Sequence, residues 1–296
     1  MMMLTVVIAA ALQAASHPIQ QAGGDARAAV TPAKSVARAP AATRIPVSRP
    51  SKTRSRVVVD AGHGGRDPGG AMHGTLSEKE VALQVALKVG DVLRARGVDV
   101  VFTRTKDTLV GRADRGRIAN RAKGDVFISI HVNAANPGWR DPAAARGFET
   151  YFLGVAKTED AQRVEEIEEQ SARFESDSKV AAHDPLSFIL NDMMQNEHLR
   201  ESSDLADIVQ RHLHGVHPGP NRGVKQAAFT VLVSALMPAV LVELGFGTNA
   251  EEAAFMATPA KQRAMAGAIA GATMEYLERH QKRVGSGAGL APGSHD

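Results

Sequence analysis

Four residues of this chain combine useful side-chain chemistry with a useful kind of position: His63, Glu78, His131 and Glu243. His63 stands two residues past the apolar run RVVVDA (56–61), His131 at the end of DVFISIHV (125–132), and Glu243 at the end of AVLVEL (239–244). Each run is of buried-strand type. Glu78 lies in the first turn of a helical pattern over 77–95, just after a Gly-rich loop. A sheet built from alternating strands and helices places its chemistry outside the carboxyl ends of its strands, so two imidazoles and two carboxylates are expected to converge there. Two His and one carboxylate with an open fourth position are the ligand set of a hydrolytic zinc site, in which the metal lowers the pKa of its water to about 7 and polarises a scissile carbonyl. The remaining carboxylate would be the base. Taken singly, a strand-end His is more often a hydrogen-bonded structural residue, and a first-turn Glu often only complements the helix dipole. Their joint placement favours the site.

The chain has no cysteine, which removes disulfides, thiolate zinc, iron–sulfur ligation and Cys nucleophiles and leaves His and carboxylates for any metal. The loop AGHGGRDPGG (61–70) lacks the Lys-Ser/Thr of a phosphate loop and has Asp67 where a dinucleotide fingerprint needs its third Gly. No HExxH helix and no GxSxG elbow occurs. A second His cluster, His212, His214 and His217 (HLHGVH), reads as a decorated helix end before it reads as a metal site.

The elements that must position these residues alternate. Strands are expected at 56–61, 98–103, 125–132, 147–153 (an edge strand), 229–233 and 239–244; helices at 77–95, 112–123 and 259–283. This order predicts an α/β fold with a mostly parallel twisted sheet and helices on both faces.

At 296 residues there is room for one sizeable domain plus tails. Residues 4–12 (LTVVIAAAL) have the length of a signal-peptide core and are too short to span a bilayer, so 1–16 are expected to be an export signal. Residues 17–55, rich in Ala, Pro and Arg, read as a disordered basic linker, and 284–296 as a disordered tail. Charge follows this division: residues 1–56 hold eight basic residues against one acid, +7, whereas 57–296 hold 27 against 31, −4. A mildly acidic folded part argues against nucleic-acid binding.

Several segments resemble one family. VVVDAGHGGRDPGG, LSEKEVAL, Thr103-Arg104, RADRGRIAN, DVFISIHVNA, GFETYFL, RGVKQAAFTVL and MPAVLVELGFGTNAEE look like the zinc-dependent N-acetylmuramoyl-L-alanine amidases, the cell-wall hydrolases that separate daughter cells, in the correct order over roughly 56–280. The resemblance implies a catalytic domain over 56–283, one zinc ion held by His63, Glu78 and His131, and Glu243 as the catalytic carboxylate. The substrate it implies is the peptidoglycan amide between the lactyl group of N-acetylmuramic acid and L-alanine. It also implies an exported, periplasmic or wall-associated enzyme acting in wall remodelling and cell division.

The segment 155–215 departs from a minimal domain. Its acidic run over 159–177 reads first as a solvated helix face. It also resembles the autoinhibitory insertion of the cell-division members, in which a helix covers the site until an activator protein displaces it. Aligning ARFESDS with that helix makes Glu175 the expected inhibitory metal ligand. The alternative activity is a zinc carboxypeptidase or endopeptidase acting on stem peptides, which would need a basic residue for a terminal carboxylate; Arg104 and Arg112 are the candidates.

Overall fold

The computed structural model describes residues 54–175 and 185–287. Its strands are β1 (Arg56–Ala61), β2 (Asp99–Phe102), β3 (Val126–Asn133), β4 (Phe148–Leu153), β5 (Asn221–Ala227) and β6 (Ala239–Phe246). Its helices are α1 (Glu78–Ala95), α2 (Arg112–Ala122), α3 (Glu159–Glu169), α4 (Pro185–His214), α5 (Thr230–Val233), α6 (Ala250–Ala257) and α7 (Pro259–Gly287). One six-stranded sheet runs in the order β2-β1-β3-β6-β4-β5. All neighbours are parallel except β4 and β6. The expected α/β fold with a mostly parallel sheet is therefore the one observed.

The continuous apolar runs serve two faces at once. Val57 and Val59 join a core with α1, α4 and α7, and the intervening Val58 joins a second core with Phe127, Tyr151 and Leu241 beside α2 and α3. Full burial of each such side chain contributes about 1.5–3 kcal/mol, so a strand covered on both faces cannot alternate with polar residues.

Several expectations are corrected. The segment 229–233, expected as a strand, forms the short helix α5, and the strand next to β4 is the polar stretch β5 instead. β-Propensity in FTVLV yields to tertiary context, because Val231 and Leu232 are buried from a helical turn. β4 is not an edge: it lies between β6 and β5. α7 runs to Gly287, four residues into the stretch expected as a tail. Within 155–215, Leu205, Ala206, Ile208, Val209 and Leu213 of α4 belong to the main core, whereas α3 lies over the carboxyl ends of the strands. The expected signal (1–16), most of the linker (17–55) and the rest of the tail lie outside the described residues.

Helix α2 approaches α5 at Gly116, where an added Cβ would stand 2.2 Å from Ser234 Oγ and 2.6 Å from its carbonyl carbon. Gly116→Ala gains up to about 1 kcal/mol of helix propensity and overpacks against backbone at a typical cost of about 1–3 kcal/mol. A net loss of about 1 kcal/mol is expected in urea denaturation, and unchanged stability would show that α5 yields.

Candidate metal centre

His63 sits in the left-handed region, φ 56°, rare for a residue with a side chain and a form of backbone strain common at functional sites. Two buried arginines hold this turn. Arg104 donates to the carbonyls of Ala61 (2.9 Å) and Gly62 (2.7 Å), and Arg115 to those of Ala61 (2.6 Å) and His63 (2.9 Å). Arg115 also pairs with Asp60 at 2.8 Å, and Asp60 accepts from the Ser129 hydroxyl at 2.6 Å. Gly62 leaves the room that the His131 ring fills, since a Cβ there would lie 2.5 Å from it.

Helix α1 begins with a capping box, in which Glu80 accepts from both the backbone N–H and the hydroxyl of Ser77, each at 2.8 Å. This start turns Glu78 inward. Its Oε1 accepts from Val132 N–H at 2.9 Å and its Oε2 from Gly70 N–H at 2.6 Å. His131 and Glu243 are register partners on the central strands β3 and β6.

Three of the four expected residues, with one more, form a tight cluster. His63, Glu78, His131 and Glu168 each offer a ligand atom within 4.8 Å of the others, and all four are buried. His63 Nε2 lies 3.2 Å from His131 Nδ1. Glu78 Oε1 stands 3.1 and 3.3 Å from these nitrogens, and Glu168 Oε2 stands 3.1 and 2.9 Å from them. A tetrahedron with metal–ligand bonds of ~2.0–2.1 Å has edges of ~3.3–3.4 Å, so this donor set fits a zinc-sized ion. Asp67 Oδ2 stands 2.9 Å from His63 Nδ1, the outer partner that fixes which ring nitrogen faces a metal.

The four groups also act on one another's charge. Burial opposes charge on His63 and His131, yet Glu78 and Glu168 beside them lift both rings, His131 to about 10. Burial would raise Glu78, but His63 above all lowers it below the carboxylate range. Glu243 differs. It is fully buried, neither oxygen has a hydrogen-bond partner, and burial followed by Glu168 pushes its carboxyl well above the usual range. A buried carboxylate left without partners points to a role in chemistry.

Glu175 is not in the cluster. It accepts from Arg112 N–H at 2.8 Å and Arg112 Nε at 3.0 Å, because α3 ends at Glu169, tightens into a 3₁₀ turn over 170–174, and leaves Glu175 on extended backbone beyond it. Glu168 takes the inner place. The signal for it is helical spacing: Ala161, Val164 and Glu168 form the buried stripe of an otherwise acidic helix. Other α3 acids also have partners, Glu165 accepting from Ala228 N–H and Glu169 from Thr230 N–H and hydroxyl. The second His cluster does not converge: His212 pairs with Glu275, and His217 packs between Phe148 and Phe255.

Residues 57–274 match the family model described as N-acetylmuramoyl-L-alanine amidase. The chain is 33% identical over 234 residues to the N-acetylmuramoyl-L-alanine amidase AmiA of Escherichia coli, covering 78% of this chain and 79% of that one. It superposes with TM-score 0.57 and 28% identity on the N-acetylmuramoyl-L-alanine amidase of Clostridium difficile 630, covering 76% of this chain and 97% of that one. The N-acetylmuramoyl-L-alanine amidase AmiC2 of Nostoc punctiforme gives 0.55 and 28%, with the same coverage. With both the sheet and the matched span in agreement, the chain belongs to the N-acetylmuramoyl-L-alanine amidase family.

Proposed function

We propose that this amidase is a zinc enzyme in which His63, Glu78 and His131 hold the ion, Glu243 is the general base, and Glu168 closes the fourth position in a resting form. The observation that carries the reading is the close spacing of four buried donors, with five of their six separations between 2.9 and 3.3 Å, next to a carboxylate with no partner. The reaction is hydrolysis of the peptidoglycan amide between the lactyl group of N-acetylmuramic acid and L-alanine. When bound, zinc supplies a water of pKa about 7 and a Lewis acid for the amide carbonyl.

The chain's own groups do the rest. Glu243 has both oxygens free of other bonds, so it can take the proton of the attacking water and return it to the departing amine of L-alanine. Asp67 keeps His63 Nδ1 protonated and leaves the Nε2 lone pair facing inward. Glu78 is pinned by two backbone N–H groups and holds its orientation through turnover.

Glu168 makes the resting form inactive, because its carboxylate occupies the place that water needs. Opening requires α3 to leave, and a partner protein would supply the binding energy. Export through 1–16, a basic linker over 17–55, periplasmic or wall placement and a division role belong to the same proposal. Among the described residues no helix is long and apolar enough to cross a membrane. The stem-peptide carboxypeptidase reading loses one of its two candidates: Arg104 is committed to the carbonyls of Ala61, Gly62 and Lys79, whereas the partners of Arg112, Glu169 and Glu175, belong to α3 and the turn after it.

Metal analysis of the purified protein should find about one zinc per chain, with His63→Ala and His131→Ala losing most of it. Full retention by both variants would remove the ligand assignment. Glu243→Gln should keep fold and zinc but lose hydrolysis by ~100-fold or more, since an amide cannot accept the proton; near-normal turnover would move the base elsewhere. Glu168→Ala should raise partner-free hydrolysis of peptidoglycan by ~10- to 100-fold, equivalent to about 1.4–2.7 kcal/mol of released inhibition. Mass spectrometry of the released stem peptides reads this directly, and a zinc-loaded variant no faster than its parent would end the autoinhibition reading.

A further inference from the structure

Beside the metal cluster lies a pair of cations that the reaction has not used. Arg222 and Lys225 project from β5 toward the inhibitory helix, and both reach Asp160 Oδ2, at 2.7 and 2.6 Å. Both also hold Glu149 Oε2, at 2.8 and 2.5 Å. Glu149 is fully buried on β4, paired in register with Glu243, and its other oxygen accepts from Asn133 Nδ2 (2.6 Å) and the Tyr151 hydroxyl (2.7 Å).

We propose that Arg222 and Lys225 form a carboxylate-binding subsite for the peptide stem, which Asp160 occupies while α3 is closed. The inference rests on the reading that α3 leaves the cleft, and it concerns what that departure uncovers. Glu149 alone cannot balance two cations. Asp160 also holds Arg163 of its own helix, at 2.9 Å, and the two leave together with α3; Arg222 and Lys225 then face Glu149 with one positive charge left over at the rim, in a place built for a carboxylate.

The subsite does not depend on α3 for its shape. Glu149 clamps both cations from below, the Arg222 guanidinium lies 4.9 Å over the Phe246 ring, and Lys225 Nζ lies 5.9 Å from the Tyr151 ring. All of these partners belong to the sheet, so the cations stay in position when the helix goes.

Spacing matches the substrate class. Asp160 and Glu168 are eight residues apart on one helix, about 12 Å along its axis at ~1.5 Å per residue. An extended peptide at ~3.3–3.6 Å per residue covers that distance in about three to four residues. A peptidoglycan stem carries free carboxylates at that distance from its L-alanine end. The inhibitory helix thus blocks two positions at once, Glu168 at the metal cluster and Asp160 where the stem's negative charge would dock.

The test is a binding measurement that needs no turnover. The full chain carrying Asp160→Ala and Glu168→Ala is titrated calorimetrically with the tetrapeptide L-alanyl-γ-D-glutamyl-meso-diaminopimelyl-D-alanine and with its fully amidated form. At least tenfold tighter binding of the acid form is expected; adding Lys225→Gln should bring the ratio below about threefold, and Lys225→Arg should restore it. Circular dichroism of each variant confirms the fold, and the arginine variant guards against loss through misfolding. Equal affinity for the two peptides, binding of neither, or a ratio unmoved by Lys225→Gln overturns the subsite. Faster hydrolysis by Glu168→Ala without acid preference would remove the subsite and leave the autoinhibition reading standing. Acid preference without a gain in hydrolysis would keep the subsite and end the autoinhibition reading.

Discussion

The structure is organised around a cost: five ionisable side chains, His63, Glu78, His131, Glu168 and Glu243, are gathered with almost no access to water. Charges in such a place are tolerated only when paired or when they coordinate a metal. Four of the five share one small volume in which each imidazole faces two carboxylates. The fifth, Glu243, has nothing. The sheet makes this possible because β1, β3 and β6 run parallel and deliver His63, His131 and Glu243 at the same end.

Holding that arrangement requires stiffness around it. The turn at His63 is strained, and its carbonyls are taken by Arg104 and Arg115, themselves buried and anchored in part by Asp60. Asp60 stays ionised: burial raises it, but the Arg115 guanidinium and the Ser129 and Thr103 hydroxyls together lower its pKa. Removing one partner of such a buried pair typically costs about 3–5 kcal/mol. These arginines therefore serve geometry and are not a source of substrate affinity.

Helix α3 is bound differently. It is attached largely through polar groups: Asp160 to the cations of β5, Glu165 and Glu169 to backbone before and at α5, Glu168 to the imidazoles, and Arg163 to the Ala134 carbonyl. The half-exposed contacts of Asp160, Glu165 and Glu169 can be exchanged for water or for another anion at small cost, whereas Glu168 is buried with the imidazoles and its release needs a replacement partner for them. The apolar stripe through Ala161 and Val164 keeps the helix in register.

Much of this was legible in the amino-acid sequence. Period and composition marked β1, β3, β6, α1 and α7, because doubly covered strands and long amphipathic helices leave strong local signals. The rule that chemistry gathers at strand ends was enough to bring His63, Glu78, His131 and Glu243 together as candidates. Other features were decided only in three dimensions. FTVLV became a helical turn and the polar NRGVKQA became a strand, because neighbours rather than propensity chose their conformations. The acid that meets the imidazoles is Glu168 rather than Glu175, since the helix end at Glu169 determines which acid can face inward, and a run of similar acids does not encode where the helix stops. Local sequence determined which residues could form strands, helices and ligands. Tertiary structure decided which of several chemically equivalent acids meets the imidazoles, because that depends on helix phase and docking, which are properties of packing between distant segments.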